Sequence, residues 1–415
     1  MAKQTFKQSI DLFHKTMKKY FPDREFELDI LVAVCASFFI KDITQPIALF
    51  LLGNPSSGKS TLLEMIKELP VILWRDNLTP AALLSASPNI EPEDQLLHQL
   101  DGKVLTIPEL APLVNNKDAK TIMPDFVRLL DGNSLVRHTG YGMLGGTEAQ
   151  KFNMLGAIVR ISPKLWELLG NMGPRLVFIK LPDREQSLDQ TVNRLTKLAS
   201  DRSYTAKLEV ARKIVLAFYE NIAKFYPDGI SWNKDKDDKE TLDKIAKLAV
   251  LVTKLRAVIP KENRQYVGTP LVEDPTRIYM TLLGIVRCVA FIRGRTHVSD
   301  EELAVAHRIA LDSVPEERSG VLLALIANEG TLTTKQYAKI SGVSRGTVYT
   351  RFEEMDKLGI TQCAKKSGKT KPFEAVTLKD EWEFLKHMTN WLVSFSFCIL
   401  FFDSYEVCLY SCQWE

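Results

Sequence analysis

Residues 53–60 read GNPSSGKS, which fits the pattern GxxxxGK[ST]. Glycines at both ends let a backbone curl so that its N–H groups face a phosphate at the start of a helix. The stretch Gly53, Asn54, Pro55, Ser56, Ser57, Gly58, Lys59, Ser60 and Thr61 is therefore the candidate nucleotide cradle. In such a cradle Lys59 reaches the β- and γ-phosphates, and the Ser60 hydroxyl is a ligand for Mg²⁺. The flanks agree with this chemistry. Ile47–Leu52 is an unbroken apolar run, as in a strand buried on both faces of a parallel sheet, and an apolar helix pattern follows Thr61.

A second acidic element is needed, and VLTIPEL (104–110) is the candidate. VLTI has the character of a core strand, and Pro108-Glu109 stands where nucleotide sites of this kind carry Asp-Glu. Glu109 is the residue that would polarise the attacking water. The acid that would support the metal is replaced by Pro108, so the expectation is an active ATPase with slower turnover and weaker Mg²⁺ affinity.

Downstream, a helix is predicted over about 119–130, and Asp131-Gly132 is a turn signal. SLVRHT alternates like a strand, YGMLGG reads as a hairpin tip, and FNMLGAIV is another buried run. Ser162-Pro163 follows that run, Arg175 immediately precedes a further apolar strand, and Arg277 opens a long helical pattern. VSDEE (298–302) has the form of a helix start.

Over roughly residues 30–315 this succession resembles the AAA+ ATPases, and among them the MCM replicative helicases, with their hairpin between the acidic strand and the next core strand. The resemblance implies roles position by position. Ser162 would stand in the sensor 1 slot, Arg175 would be the arginine finger, and Arg277 would be the sensor 2 arginine. Such proteins form rings with ATP between subunits, so Arg175 and Arg277 would serve a neighbour's nucleotide. The hairpin would grip DNA, with Arg137, His138 and Lys151 as phosphate contacts and Tyr141 and Met143 near its tip. There are departures. Fewer than fifty residues precede the first core strand, which leaves out a large N-terminal tier. Serine at the sensor 1 position lacks the paired donor and acceptor of an amide. The stretch from Ser200 to Gly268 is longer than a minimal lid, and NKDKDDKE (233–240) within it reads as a solvated loop. No GAFTGA string of the σ54 activators occurs.

The C-terminal part resembles a winged helix. Val321, Leu322, Leu325 and Ile326 mark one helix, Thr334–Ile340 a second, and Ser344 begins a third with Val348, Phe352, Met355 and Leu358 as its buried stripe. A DNA-reading version would present Ser344, Arg345, Thr347, Tyr349 and Arg351 to the major groove. Lys365, Lys366, Lys369 and Lys371 would contact phosphates from the wing. Glu353, Glu354 and Asp356 favour instead a winged helix used for partner contacts.

Bulk properties bound the rest. A formal charge of +3 over 415 residues gives no general polybasic character, so any DNA surface must be local. The six cysteines form no CxxC pair, which suits a reducing cytosol and excludes a zinc module. Phe6, Ile10, Phe13, Met17 and Tyr20 predict an amphipathic N-terminal helix with no signal-peptide character. Residues 28–40 are too short an apolar run to span a membrane and predict a buried helix. From Met388 onward there is no lysine or arginine, and this tail reads as an atypical terminus or a docking segment.

The expected fold is thus α/β: a P-loop AAA+ core with a parallel sheet and pre-sensor hairpin (46–182), after an N-terminal helical segment (1–45). A helical lid (183–315), a winged helix (316–385) and a hydrophobic tail (386–415) complete it. The expected activity is that of a cytoplasmic, hexameric, ATP- and Mg²⁺-using DNA helicase or translocase of a mobile element or phage. The alternative is an ATP-dependent regulator that binds DNA through the winged helix.

Overall fold

A computed structural model describes residues 5–85, 87, 89–115, 119–140, 142–146, 148–162, 165, 166, 169, 175–182, 188–200, 203–262, 265–363 and 374–388. Tyr141, Pro163, the wing lysines Lys365, Lys366, Lys369 and Lys371, and the tail beyond Met388 lie outside these residues. The chain divides into two compact units. The first is Met1–Leu181, Gln186–Val258 and Leu271–Val314; the second is Pro182–Glu185, Ile259–Pro270 and Pro315–Glu415.

The first unit is mixed α/β around a five-stranded parallel sheet. Its strands are β1 (Ala48–Leu52), β2 (Ile72–Trp74), β3 (Val104–Ile107), β6 (Asn153–Ile158) and β7 (Leu176–Lys180), in the order β2-β3-β6-β1-β7. β1, β3 and β6 are almost wholly buried, which is why they read as continuous apolar runs rather than alternating ones. β6 lies between the strand that feeds the glycine-rich loop and the strand that ends in Pro108-Glu109. Gly156 makes that close spacing feasible, because a Cβ there would strike the Ile107 carbonyl oxygen and the Phe50 ring.

Asn153 is a buried polar residue of this core, and its oxygen and both amide hydrogens are hydrogen-bonded. Its Oδ1 accepts from the Ile47 N–H at 2.8 Å, and its Nδ2 donates to Ser37 Oγ (2.7 Å) and to the Val34 carbonyl (3.2 Å). The sheet is thereby pinned to the N-terminal helices. Those are Phe6–Tyr20, started by a Thr5/Gln8 capping box, and Glu25–Ala36, nearly every residue of which is buried. At the other edge, β7 is not left open: Asp312 Oδ2 accepts from the Lys180 N–H at 2.7 Å, and Ser313 Oγ from the Phe178 N–H at 2.8 Å.

Between β3 and β6 the helix Ala119–Leu130 leads into an antiparallel hairpin of β4 (Val136–Thr139) and β5 (Gly142–Gly145). The glycine-rich segment expected at the tip is instead the returning strand. Thr139 pairs with Gly142, so Gly142 and Gly145 belong to β5, where they take positive φ (115° and 93°).

Four long helices follow β7 in this unit: Leu188–Ser200, Tyr204–Phe225, Lys239–Arg256 and Thr276–Ile292; Leu303–Asp312 completes it. The NKDKDDKE segment is solvated at six of its eight residues, as its composition suggests, but it also holds one buried anchor. Asp237 is buried, pairs with Arg287 at 2.7 Å, and accepts from Trp232 Nε1 (2.9 Å) and the Val298 N–H (2.7 Å). Asp238 beside it caps the next helix through the Thr241 N–H. Composition reports the six exposed members of such a run and misses the one that a distant arginine and tryptophan require.

His307, on the Leu303–Asp312 helix, is 4 % exposed, and neither ring nitrogen has a hydrogen-bond partner among the described residues. Burial, with Lys244 adding to it, pushes its pKa down to about 3. The unfolded chain therefore takes up this proton first, and stability is lost as pH falls from about 6.5 towards 3. At pH 5 the expected loss from this group is about 2 kcal/mol relative to pH 8. In urea titrations at the two pH values, His307→Leu is expected to shrink the difference by that amount; an unchanged difference would refute the assignment.

The second unit contains the helices Glu316–Ala327, Thr334–Ser341 and Arg345–Lys357. A three-stranded antiparallel sheet, β10 (Thr331–Thr333), β12 (Ala375–Leu378) and β11 (Thr361–Cys363), lies in that order beside them. Gly342, at φ 66°, ends the second helix in the left-handed conformation, and Ser344 caps the third. Val348, Phe352, Met355 and Leu358 are buried on the stripe their spacing predicts. Glu354 is not a free acidic surface group, because Arg318 holds it at 2.7 Å. A small hairpin of β8 (Lys261–Glu262) and β9 (Gln265–Tyr266) also belongs to this unit.

Candidate functional site

The glycine-rich loop leaves β1 at its C-terminal end and enters the helix Lys59–Ile66. Its entry is fixed by the Gly53 N–H, which donates to the Ile158 carbonyl at 3.3 Å. Gly58 has φ 96°, and the chain could not turn into the helix there with a side chain at ordinary cost. Ser56 is also left-handed, at φ 62°, a conformation that costs a serine on the order of 1 kcal/mol and is typical of functional loops. A Cβ on Gly53 would lie 2.9 Å from Ser57 Oγ and 3.3 Å from Leu181 Cβ, so a side chain there would require Ser57 to move. Ser57 Oγ is itself buried without a partner among the described residues, a polar atom that a bound phosphate could satisfy.

Lys59 is 7 % exposed and folds back on the loop, donating to the Gly53 carbonyl at 2.5 Å and the Asn54 carbonyl at 2.9 Å. Burial lowers its pKa, and the charge of Glu109 opposes that shift. Ser60 is exposed, at the start of the helix.

β3 ends at Ile107, so Pro108 is the first residue past the strand and removes no ladder hydrogen bond. The Leu110 N–H donates to the Ala157 carbonyl at 2.7 Å and holds this segment against β6. Glu109 Oε1 accepts from the Ala111 N–H at 3.2 Å, which orients the carboxylate.

Ser162 is placed differently from the expectation that it ends the core strand. β6 stops at Ile158, and Ser162 lies four residues on, where its Oγ accepts from the Leu165 N–H at 3.2 Å. A serine just before a helical turn is drawn to cap it, and the hydroxyl is used there.

Arg175 and Arg277 come together, but not at their own loop. The parallel register pairs Ala48 with Leu176 and Leu52 with Lys180, so Arg175 lies at the opposite end of β7 from Gly53. At ~3.3 Å per residue that is roughly 20 Å along the sheet. There Arg175 donates Nε and Nη2 to the two carboxylate oxygens of Asp131 at 2.7 and 2.8 Å, and Arg277 pairs with the same carboxylate. Burial lowers the pKa of both arginines. Arg256 is next to them, donating Nη1 to the Leu176 carbonyl at 2.9 Å, and burial pushes its pKa down to about 10.

Of the candidate DNA contacts on the hairpin, His138 is exposed, and Met143 near the tip is 64 % exposed. Arg137 is tied to Asp125 of the preceding helix by an ion pair. Lys151 is not on the hairpin: it stands just before β6, half-buried, with its ammonium over the Phe38 ring. In the second unit Arg345 and Thr347 are exposed at the start of the third helix and Tyr349 is half-buried. Arg351 turns inward, its Nη1 donating to the Tyr337 hydroxyl at 3.2 Å.

Three residues at these places carry no motif. Arg24 is 5 % exposed and donates Nη2 to the Ser57 carbonyl of the loop at 2.7 Å. The Tyr204 hydroxyl is 3.2 Å from Thr61 Oγ1, with the Phe21 ring edge-on to it at 6.4 Å. Asp131 gathers the two arginines. No local pattern marks them, because each reaches its partner only through the fold.

The sheet order and the loop at the end of β1 are consistent with a P-loop ATPase core. No family model and no curated protein matches the sequence. Among solved structures, one described as a "putative ATPase" from Cytophaga hutchinsonii is similar at 12 % identity and a TM-score of 0.41, covering 84 % of this chain and 96 % of that one. Among the described residues no helix is long and apolar enough to cross a membrane, and no group of His, Cys, Asp and Glu side chains could hold a metal ion.

Proposed function

We propose that the chain is an ATPase whose nucleotide sits on residues 53–61 and is completed by Arg175 and Arg277 of a neighbouring copy. The observation that carries this reading is the glycine-rich loop at the end of β1, with Gly58 left-handed and Lys59 buried against it, and Glu109 just past the end of β3, all at the end of the sheet remote from Arg175. ATP fits the residues present: loop amides and Lys59 for the phosphates, and a buried, unpartnered Ser57 hydroxyl in the cradle. Mg²⁺ commonly takes one or two protein oxygens plus phosphates, so the absence of a carboxylate cluster among the described residues is compatible with Ser60 as its protein ligand. Bound Mg²⁺ would neutralise charge on the phosphates. Glu109 would hold and polarise the attacking water, and Lys59 would bind the phosphate oxygens.

We further propose that the work is done on DNA, by a hexameric, MCM-like helicase or translocase of a mobile element or phage. The β4–β5 hairpin with exposed His138, and a second unit read as a winged helix with exposed Arg345 and Thr347, support DNA as the partner. ATP turnover measured with and without single-stranded DNA tests this: stimulation by DNA is expected, and none would sink the motor reading. Unwinding of a forked duplex separates a helicase from an ATP-dependent regulator, which would leave the duplex intact.

Pro108 bears on the metal. Pro108→Asp is expected to lower the Mg²⁺ concentration for half-maximal turnover about ten-fold, since a unit charge 4 Å from a cation is worth ~1 kcal/mol or more even in water. An unchanged Mg²⁺ midpoint would remove the basis for assigning the missing acid a metal-supporting role.

A further inference from the structure

We propose that Asp131 is a positioning residue that sets Arg175 and Arg277 for the nucleotide of a neighbouring copy; this rests on the trans-acting role given to those arginines above. The two arginines are a hundred residues apart in the chain and belong to different elements, the start of β7 and the start of the Thr276–Ile292 helix. One carboxylate contacts both. Asp131 takes Nε and Nη2 of Arg175 at 2.7 and 2.8 Å and pairs through Oδ1 with Nη1 of Arg277.

The geometry fixes more than proximity. A fork bound through Nε and Nη2 cannot rotate about its last torsion without losing a bond, and it leaves Nη1 of Arg175 outside the clamp as a donor. Asp131 is itself held. Its N–H donates to the Val127 and Arg128 carbonyls, and Gly132, at φ 72°, turns the chain away immediately afterwards. The carboxylate and Arg175 side chains are each 17 % exposed and Arg277 is 30 % exposed, so the group is shielded but reached by solvent.

Charge explains why an acid is needed here. Arg175, Arg256 and Arg277 are three guanidiniums in one place, with Asp131 and Glu273 as the acids near them. Without Asp131 the two arginines that must converge on one phosphate would repel each other. With it they are held side by side while the cluster retains a surplus of positive charge for an incoming phosphoryl group. This is an acid that acts through other residues and touches no nucleotide of its own subunit, since it lies with Arg175 at the far end of the sheet.

The test compares Asp131→Ala, Asp131→Glu, Arg175→Ala and the Asp131→Ala/Arg175→Ala double variant in the full chain. Turnover is followed against MgATP concentration, alongside binding of a fluorescent ATP analogue and a thermal melt. Asp131→Ala is expected to lower kcat about 100-fold, the scale of loss for an angstrom-level misplacement of a catalytic group. KM and analogue affinity are expected to stay within about two-fold, because the chain's own loop is untouched. The double variant should lose less than the product of the two single losses, and Asp131→Glu should regain part of the rate. Wild-type turnover by Asp131→Ala, with Arg175→Ala impaired, overturns the proposal alone. So does a deficit that tracks a lowered Tm and adds to that of Arg175→Ala. Wild-type turnover by Arg175→Ala overturns the trans-arginine reading itself.

Discussion

Lys59→Ala is expected to abolish ATP turnover to background, with and without DNA, while leaving the fold intact. Lys59 is the side chain that a nucleotide would recruit. The ammonium rests on the Gly53 and Asn54 carbonyls, two acceptors that a phosphate can replace. Lys59 is buried, and burial already disfavours its charge; only Glu109 offsets this. An alanine there removes a desolvated cation, so the folded chain should not be weakened and the melting temperature should hold or rise slightly. The phosphates, in contrast, lose the one side chain that neutralises them from inside the loop. Turnover and melting curves on the same preparation check both halves. Turnover in Lys59→Ala equal to wild type would exclude the loop as the catalytic site.

Arg175→Ala is expected to lower kcat by roughly three orders of magnitude or more, as loss of a trans arginine does in phosphoryl-transfer systems. Affinity for the nucleotide should change little, because Arg175 lies at the far end of β7 from the loop of its own chain. The position makes a sharper experiment available. Chains with Lys59→Ala keep Arg175, and chains with Arg175→Ala keep the loop. In a head-to-tail ring, mixed subunits place an intact loop against an intact arginine at about one interface in four if assembly is random. An equimolar mixture of the two inactive variants is therefore expected to regain measurable turnover. A mixture as inactive as its components would exclude sharing of the site between copies.

The glycine-rich loop between strand and helix was legible because its pattern is local. Eight consecutive residues carry the glycines, the lysine and the serine, and the neighbouring strand is apolar on every residue because both its faces are covered. The acidic strand was legible for the same reason, although its register needed the structure: only there is Pro108 seen to lie past the strand, where it costs no hydrogen bond. The hairpin was foreseen as an element and misread in detail, since a glycine-rich string signals turns, and here two of its glycines serve a strand at positive φ. Ser162 was assigned by analogy to a strand end. The strand stops at Ile158, and Ser162, four residues on, accepts instead from the Leu165 N–H.

Sequence by itself determined the identity of the loop, the order of strand and helix, the buried stripes of the C-terminal helices and the arginines worth asking about. Each of these is written in neighbouring residues or in a period of two or 3.6, which a linear reading can detect. Tertiary structure alone decided which charges meet. Asp237 in a run of lysines and aspartates is buried against Arg287, Arg24 reaches the loop from the N-terminal segment, and Asp131 joins Arg175 to Arg277. Such pairings depend on through-space distances of a few ångströms between residues tens to hundreds of positions apart. Coulomb and hydrogen-bond energies follow that distance and ignore separation along the chain.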